Sequence, residues 1–187
     1  MSEEGQGYIA RMQGAAERMQ SLVDDILKYA RVTTKTETLE LIDLEAIVAE
    51  VLIDLEIRIQ EKQARVEVGQ LPHVLADKMQ MRQLFQNLIS NALKYSKDSV
   101  PSIIIIQSHK ADNGFWEITV QDNGIGFDEK FLDKIFQPFQ RLHKKNEYEG
   151  TGMGLAICEK IVYQCGGRIT AKSHLGNGAT FFLTVTS

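Results

Sequence analysis

Polar and apolar stripes run side by side along one predicted helix, and this pairing constrains the chain more than any other feature. Apolar residues recur at the spacing of a single helical face: Met81, Leu84, Phe85, Leu88, Ile89 and Ala92. A second face carries Gln83, Asn87, Asn91 and Lys94. Two aligned carboxamides followed by an amine suit a divalent cation with bound phosphates, and asparagine is otherwise a poor helix former. This segment alone leaves an ordinary solvated face equally open.

Composition sets the class of protein. The chain has 187 residues, of which 43% are hydrophobic and 25% charged, with a formal net charge of −4. This balance is typical of a globular domain with an appendage and offers no basic surface to DNA or RNA, so we expect no nucleic-acid partner. The longest purely aliphatic run is Ile103 to Ile106, and the chain begins with polar and acidic residues. The sequence therefore predicts neither a membrane span nor a secretory signal.

The two cysteines bear on the compartment. Cys158 and Cys165 are seven positions apart in a predicted helix, which separates them by about 10 Å, too far for a disulfide. We expect both to be reduced, buried thiols, which agrees with a cytoplasmic domain. A membrane anchor elsewhere in a longer parent chain would leave no mark on these residues.

The first 30 residues contain a regular heptad seam. Its members alternate steps of three and four: Ile9, Met12, Ala16, Met19, Val23, Ile26 and Ala30. This spacing predicts a helix of a bundle, and a helix of this kind needs an apolar partner. We expect the seam to pair between two copies or the helix to fray. The polar, β-branched segment 32–38 marks the boundary with the main domain.

Strands and helices alternate after this boundary. A helix capped by Asp43 is expected to run to about Lys62, and Asp77 is expected to cap the two-striped helix. Further elements are expected as strands at 39–41, 64–68, 103–108, 116–121, 168–172 and 180–186, a hairpin turn at 112–114, a short helix at 129–135 and a helix from about 152 to 165. The sequence therefore predicts an α/β two-layer sandwich. A mixed, mostly antiparallel sheet of about five strands packs on three helices, after one long N-terminal helix.

An acidic residue stands at the tip of one predicted strand. The segment Trp116 to Val120 alternates apolar residues and ends in Gln121-Asp-Asn-Gly-Ile-Gly126. The two glycines allow close backbone approach to a flat ligand, and the carboxylate of Asp122 can accept a hydrogen bond from an exocyclic amine. Taken alone, the motif is also compatible with a simple turn.

A second glycine segment opens a helix. The run Gly150-Thr-Gly-Met-Gly-Leu155 precedes an apolar helix, so unpaired N–H groups at a helix N-terminus would be available to an anion. The spacing matches neither a P-loop nor a dinucleotide fingerprint. We therefore expect a phosphate site of another kind.

The aperiodic stretch between the two glycine segments resembles a lid. It contains Phe136 and Phe139, which could anchor one end, and Arg141, which could reach a phosphate. Two core aromatics and a mobile loop are the alternative, which leaves Arg141 unexplained. Gly176 to Phe181 then turns into the last strand, where Thr180 could hydrogen-bond a ligand or the backbone.

With these motifs in order, the chain resembles the catalytic and ATP-binding domain of a two-component sensor histidine kinase. That family belongs to the GHKL group with gyrase, the heat-shock chaperone ATPase and mismatch-repair ATPases. The resemblance covers residues 39–187, and Tyr8 to Val32 is similar to the second helix of the family's dimerisation and phosphoacceptor module. It implies two domains, 1–33 and 39–187, with ATP and Mg²⁺ as ligands.

The resemblance assigns residues to the adenine and the metal. Asn91 would ligate Mg²⁺, and Tyr95 would lie beside the adenine. Asp122 would accept a hydrogen bond from the adenine amine. Its pocket would be shaped by Gly124 and Gly126 and closed at the adenine end by Thr180.

The resemblance also assigns residues to the phosphates. Lys94 would contact phosphate, and Arg141 would approach the γ-phosphate. The second glycine segment would border the triphosphate through Gly150, Thr151, Gly152, Met153, Gly154 and Leu155.

One position bears on the reaction. In the hydrolysing relatives a glutamate four residues before the metal-binding asparagine activates water, whereas this chain has Asn87 there. A neutral amide is no general base, which favours phosphoryl transfer to an external nucleophile, served by Asn87, Lys94 and Arg141. Two alternatives stay open: an ATPase or serine kinase of the same fold, and a binding module that has lost nucleotide.

The family's phosphoacceptor, a histidine followed by an acidic residue, is missing. His73 precedes a valine, His109 and His143 precede lysines, and His174 precedes a leucine. The resemblance therefore implies that the chain begins after the acceptor helix. Its expected partners are ATP or ADP, that helix, a second subunit of a homodimer in the parent protein, and the receiver domain of a response regulator, whose aspartate takes the phosphoryl group.

Overall fold

The computed structural model describes residues 3–34, 39–111, 114–142, 148 and 150–186. In chain order the elements are α1 Glu3–Thr34, β1 Glu40–Asp43, α2 Leu44–Asp54, α3 Glu56–Glu61, β2 Arg65–Val68, β3 His73–Ala76, α4 Lys78–Lys94, β4 Ile103–Lys110, β5 Phe115–Asp122, a 3-10 helix Glu129–Phe131, α5 Leu132–Ile135, α6 Gly154–Gln164, β6 Ile169–Ser173 and β7 Ala179–Thr186. The predicted turn residues Asp112 and Asn113, and His143 and Glu149 of the lid, lie outside the described residues.

Five strands form the main sheet in the order β2-β4-β5-β7-β6. β2 pairs with β4 in parallel, and the other three pairings are antiparallel. Ile104 lies opposite Asp122, and Gln121 lies opposite Thr180. This register places the end of β5 beside the start of β7. The predicted mixed, mostly antiparallel sheet is confirmed.

Helices α2, α4 and α6 cover one face of the sheet, with α4 between the other two. The apolar stripe predicted for α4 is fully buried, and Phe85, Leu84 and Ile89 are each at most 1% exposed. The polar stripe of α4 is half-buried along its length. Asp43 and Asp77 cap α2 and α4 as expected, since each carboxylate accepts backbone N–H bonds from the first turn.

The helix after Asp43 is shorter than predicted. α2 ends at Asp54, and a short helix, α3, follows after Leu55, whose ψ of 5° departs from the helical value near −42°. Leu55 is buried, so the chain bends around this core residue. The bend directs α3 toward α4, where Arg58 Nη1 donates to Ser90 Oγ at 2.8 Å.

β1 and β3 form a separate two-stranded antiparallel sheet. The sequence predicted both segments as extended but gave no sign that they pair with each other, because they are about 30 residues apart and each is only four residues long. Leu44 N donates to Pro72 O at 3.3 Å, which ties the start of α2 to this sheet.

α1 packs on α6 through one face and leaves its heptad seam exposed. Leu22, Asp25, Tyr29 and Val32 share the packed face. Lys160 Nζ donates to Tyr29 O at 3.1 Å and lies 3.8 Å from the centre of the Tyr29 ring, and Gln164 donates to Val32 O. The seam lies on other faces, and its larger side chains are 42% to 72% exposed. α1 is therefore helical from Glu3 to Thr34, and the described residues of this chain leave the seam exposed.

Two further expectations concern the whole chain. Cys158 and Cys165 are both free thiols; Cys158 is buried as predicted, whereas Cys165 is only half-buried. Burial raises the pKa of the Cys158 thiol to about 12. Across the part of the chain that the structure describes, none of the helices combines the length and apolarity needed to cross a bilayer.

Candidate functional site

Two cavities adjoin between α4, the lid segment and α6. The inner one, of about 90 Å³, reaches Asp122, Gly126, Phe127 and Phe181. The outer one, of about 320 Å³, is lined by Asn87, Lys94, Arg58, Asp25 and backbone of the second glycine segment. Both are lined by a common set of residues: Asn91, Tyr95, Ile135, Gln140, Arg141 and Leu155. The shared wall makes them one continuous site with a deep apolar end and an open polar end.

Asp122 is fixed at the inner end by backbone donors. Its Oδ1 accepts from Gly124 N at 2.8 Å and from Ala179 N at 3.3 Å. Burial raises the pKa of this carboxyl, and the two N–H bonds oppose that shift. Because both bonds fall on Oδ1, Oδ2 remains available for a donor from a ligand.

The loop after Asp122 fits closely under the end of α4. Ile125 N donates to Tyr95 O at 2.9 Å. A Cβ on Gly124 would lie only 2.4 Å from that same Tyr95 oxygen, so no other residue fits at this position without moving the backbone. Gly124 thus acts by close approach and not by lining the cavity, while Gly126 does line it.

The N-terminus of α6 faces the outer cavity through Gly154 and Leu155. The helix begins at Gly154, and no side chain caps it. Its first-turn N–H groups therefore lack intrahelical partners, and the helix dipole places partial positive charge there. This arrangement is what an anion site requires.

Asn87 connects α4 to this helix start. Its Nδ2 donates to Gly154 O at 3.2 Å. The amide nitrogen is thereby occupied, and the side chain lines the outer cavity. Asn91, one turn further along α4, lines both cavities, and no hydrogen bond among the described residues engages its carboxamide.

The described ends of the lid are joined to each other and to α4. Arg141 donates through Nη2 to the backbone carbonyl of Tyr148. The centres of the Tyr148 and Tyr95 rings lie 5.0 Å apart. Lys94 Nζ also contacts the Tyr95 ring, 4.5 Å from its centre. Phe136 packs partly against the core, but Phe139 is 53% exposed with φ of 64°, so it does not anchor the lid as expected.

A carboxylate from α1 also reaches the outer cavity. Thr151 Oγ1 donates to Asp25 Oδ2 at 2.5 Å, although 126 positions separate the two residues. Asp25 Oδ1 also lies 3.5 Å from Lys28 Nζ. The face of α1 that packs on α6 therefore contributes directly to the wall of the site.

Most residues predicted for the site line one of the two cavities. These are Asn87, Asn91, Lys94, Tyr95, Asp122, Gly126, Arg141, Gly150, Thr151, Gly152, Gly154 and Leu155. Thr180 and Met153 line neither cavity. Thr180 is absent from both walls because β7 alternates its faces, and the neighbouring Ala179 takes the inner position. The Met153 side chain is in the core, with 1% of the residue exposed, and its backbone N–H donates to Thr151 Oγ1.

Several lining residues were missed by the sequence reasoning. Gln140 lines both cavities and precedes Arg141, so the lid motif could have indicated it. Ser90 lies on the polar side of α4, three residues after Asn87, which is also a readable signal. Asp25 and Arg58 carry no local signal, because each reaches the site only through the packing of α1 and α3.

The donor set bears on the expected metal. Within the residues that the structure describes, no group of three or more His, Cys, Asp or Glu side chains is placed to hold a metal ion. The outer cavity is lined by two carboxamide side chains, those of Asn87 and Asn91. Mg²⁺ keeps several waters and is usually held by one or two protein oxygens together with substrate phosphates. The site therefore fits a magnesium ion that arrives with a nucleotide and does not fit an all-protein cage.

Comparisons with known proteins show the family of the chain. Residues 76–187 match the family described as histidine kinase-, DNA gyrase B- and HSP90-like ATPase. The phytochrome-like protein Cph1 of Synechocystis sp. is 43% identical over 185 residues, which cover 99% of this chain and 24% of the relative. The adaptive-response sensory kinase SasA of Prochlorococcus marinus strain AS9601 is 40% identical over 192 residues, which cover 97% of this chain and 50% of the relative.

A solved structure extends the comparison to shape. The crystal structure of full-length ShkA in complex with AMPPNP superposes with a TM-score of 0.77 at 26% sequence identity, over 99% of this chain and 39% of that one. The chain spans half or less of each of these three proteins.

Proposed function

Since the chain belongs to the histidine kinase-, DNA gyrase B- and HSP90-like ATPase family, with sensory kinases among its relatives, we propose that it binds Mg²⁺·ATP and transfers the γ-phosphoryl group to a histidine. The chain is a catalytic and ATP-binding domain of the sensor histidine kinase type. The proposal rests on the two ends of the site. At the closed end backbone donors hold the Asp122 carboxylate, and at the other end the N-terminus of α6 has no side-chain cap.

The inner cavity suits adenine. Oδ2 of Asp122 accepts a hydrogen bond from the exocyclic amine, and Tyr95, Phe127 and Leu155 supply apolar contact. The outer cavity then receives the phosphates beside the first-turn N–H groups of α6 and the ammonium of Lys94. Mg²⁺ bound to the triphosphate offsets its negative charge, and Asn91 supplies the protein oxygen that holds it.

The transfer step depends more on the positions of the reacting groups than on proton transfer. A histidine nitrogen attacks the γ-phosphorus, the bond to the β–γ bridging oxygen breaks, and ADP leaves with that electron pair. Lys94 and Arg141 stabilise the transferred group, and Asn87 holds α4 against the start of α6 so that these groups keep their places. Because Asn87 is an amide, it cannot take a proton from water, which disfavours hydrolysis.

The acceptor and the wider pathway lie in partners. We propose that residues 1–33 are the second helix of a dimerisation and phosphoacceptor module, that residues 39–187 form the catalytic domain, and that the parent protein is a homodimer. The phosphohistidine would pass to a response-regulator aspartate. A supply of ATP and two free thiols fit a cytoplasmic setting for this domain.

Calorimetry of the chain with ADP and Mg²⁺ tests binding. The native chain is expected to bind ADP more tightly with Mg²⁺ than without it. Asn91→Ala is expected to lose that advantage, with an affinity at least about tenfold lower in the presence of Mg²⁺. Gln83→Ala is the matched control, because Gln83 is an amide on the same stripe of α4 that lines neither cavity.

Transfer is tested separately. ATP and the chain are mixed with a dimerisation module that contains its histidine, and the acid-labile phosphohistidine is measured. Phosphate release at the same rate without the module would favour an ATPase, and acid-stable phosphoserine would favour a serine kinase. No adenine-nucleotide binding at millimolar concentration would contradict the proposal.

A further inference from the structure

Arg58 extends the phosphate end of the site onto an element that the reaction described above does not use. It lies on α3, after the bend at Leu55, and its Nη1 donates to Ser90 Oγ at 2.8 Å. Arg58 and Ser90 both line the outer cavity together with Asn91 and Lys94. The contact spans 32 positions in sequence, so it is a product of how α3 packs against α4.

Ser90 places the guanidinium on the functional side of α4. Residues three and four apart on a helix are neighbours on its surface. Ser90 is therefore adjacent to Asn87 and Lys94, and it precedes Asn91 directly. Arg58 is exposed to solvent, and its hydrogen bond to Ser90 holds the guanidinium at the edge of the polar stripe.

The charge of Arg58 is uncompensated among the described residues. Other basic residues of this region are paired: Lys78 with Glu50 at 2.8 Å, Arg82 with Asp54, and Lys62 with Asp98 at 3.6 Å. No ion pair among the residues described includes Arg58. Asp25 lines the same cavity, but its two oxygens already contact Thr151 and Lys28.

The other cations of the cavity have assigned places. Lys94 lies over the Tyr95 ring, next to the junction with the adenine end. Arg141 donates to the Tyr148 carbonyl at the base of the lid. Arg58, unlike Arg141, lines the outer cavity but not the inner one, so it would join Lys94 and Arg141 where the terminal phosphate of a nucleotide seated on Asp122 would lie.

We propose that Arg58 contacts the γ-phosphate of the bound nucleotide and makes the site discriminate triphosphate from diphosphate, with Ser90 as its positioning residue. This inference rests on the proposed ATP binding. A guanidinium suits the task because its planar donors match phosphate oxygens and it stays charged at every accessible pH. ADP has no group at that distance from adenine, so Arg58 should leave ADP affinity unchanged.

The test is calorimetric titration of Mg²⁺·AMPPNP and Mg²⁺·ADP into four proteins: the native chain, Arg58→Gln, Arg58→Lys and Arg65→Gln. Arg58→Gln is expected to lower AMPPNP affinity about tenfold with ADP affinity within about twofold. Arg58→Lys is expected to fall between, because an ammonium keeps the charge but not the planar donors. Arg65 is the matched control, an exposed arginine paired with Glu67 that lines neither cavity.

Ser90→Ala separates positioning from charge. It is expected to reduce the preference for AMPPNP less than Arg58→Gln does, and to add nothing when combined with it. Unchanged AMPPNP affinity in Arg58→Gln would overturn the proposal, as would an equal loss for both nucleotides or a loss of transfer rate alone. If the native chain bound neither nucleotide, the proposed function would fail as well; if ADP binding persisted while the preference did not change, only the role of Arg58 would fail.

Discussion

The two ends of the site are built in different ways. The adenine end is closed by backbone: Asp122 accepts two main-chain N–H bonds, and Ser173 Oγ accepts from Phe127 N at 2.8 Å and donates to Gly178 O at 2.8 Å. The phosphate end is lined by side chains from α1, α3, α4 and the lid. The bonds that hold Asp122 and Ser173 involve the ends of neighbouring strands of one sheet, whereas the phosphate end depends on how separate elements pack.

This difference implies a division of labour. A buried carboxylate with fixed backbone partners supplies specificity at little entropic cost, because nothing has to be ordered when the ligand arrives. The phosphate end instead has cations on long side chains, such as Arg58 and Lys94, which lose conformational freedom when they are held on a ligand. Changes at the adenine end should therefore affect folding and all nucleotides, and changes at the phosphate end should affect mainly the distinction among nucleotides.

The largest effect is expected for Gly178→Ala at the adenine end. Gly178 has φ of 84°, and a Cβ there would lie 2.0 Å from the backbone oxygen of Asp122. We expect a loss of about 3 kcal/mol or more in the free energy of unfolding. Gly176→Ala is the control, since Gly176 has the same φ but nothing within 4 Å of its Cβ, and it should cost only about 1 kcal/mol. Equal losses in urea titrations would show that strain and not contact with Asp122 matters.

Asp122→Asn should weaken ADP binding by about 10- to 100-fold. An amide cannot accept on one atom from two backbone N–H groups and also accept the adenine amine on the other, because its nitrogen is a donor. Asp128→Asn is the control, since the exposed Asp128 serves only the turn at Lys130. Calorimetry with ADP measures both. ADP affinity within twofold of native in Asp122→Asn would contradict the assignment of this residue to adenine.

Because the pKa of Asp122 is raised, both the free energy of unfolding and the affinity for ADP should depend on pH. Burial makes the folded protein hold the Asp122 proton to a higher pH than the unfolded chain does. The contribution of Asp122 to stability therefore falls as pH rises through its folded pKa. ADP affinity should fall on acidification through the same pKa, starting above the pH at which an ordinary aspartate titrates. Asp122→Asn should flatten both profiles, and an unchanged profile in that variant would assign the dependence to another group.

A moderate effect is expected where α1 is attached beside the phosphate end. Val32 is 4% exposed, whereas Met19 on the seam is 66% exposed. Val32→Ala should lower the free energy of unfolding by about 1 to 2 kcal/mol, and Met19→Ser should change it by about 0.5 kcal/mol or less. Denaturant titration at low protein concentration measures both. The reverse order would indicate that the seam and not the packed face holds α1.

The smallest effect is expected for Asp25→Asn. The amide keeps a hydrogen-bond acceptor for Thr151 but removes a negative charge from the wall that receives phosphates. AMPPNP affinity should rise by less than about tenfold, and ADP affinity by less than that, because the effect of a charge falls with distance. Asp24→Asn is the control, because Asp24 is an exposed carboxylate on the same helix and lines neither cavity of the site. A fall in AMPPNP affinity would instead show that Asp25 assists binding.

Much of the fold could be predicted from local patterns. The two stripes of α4, the caps Asp43 and Asp77 and the alternation of β5 and β7 are set by helical and strand periodicity and by the need of first-turn N–H groups for partners. The two glycine segments were also visible in the sequence, but the assignment of the first to adenine came from the resemblance to a known family. Each of these depends on residues within about one or two turns of each other.

Other features were decided only by tertiary structure. Ala179 and not Thr180 lines the adenine end because the pairing of β5 with β7 fixes which face of β7 turns inward. Asp25 meets Thr151, and Arg58 meets Ser90, only because α1 and α3 dock where they do. The sequence singled out the heptad seam of α1, but packing on α6 buries a different face. Periodicity tells which residues share a face, but the partner of that face is chosen by the summed burial and hydrogen bonding of the whole domain.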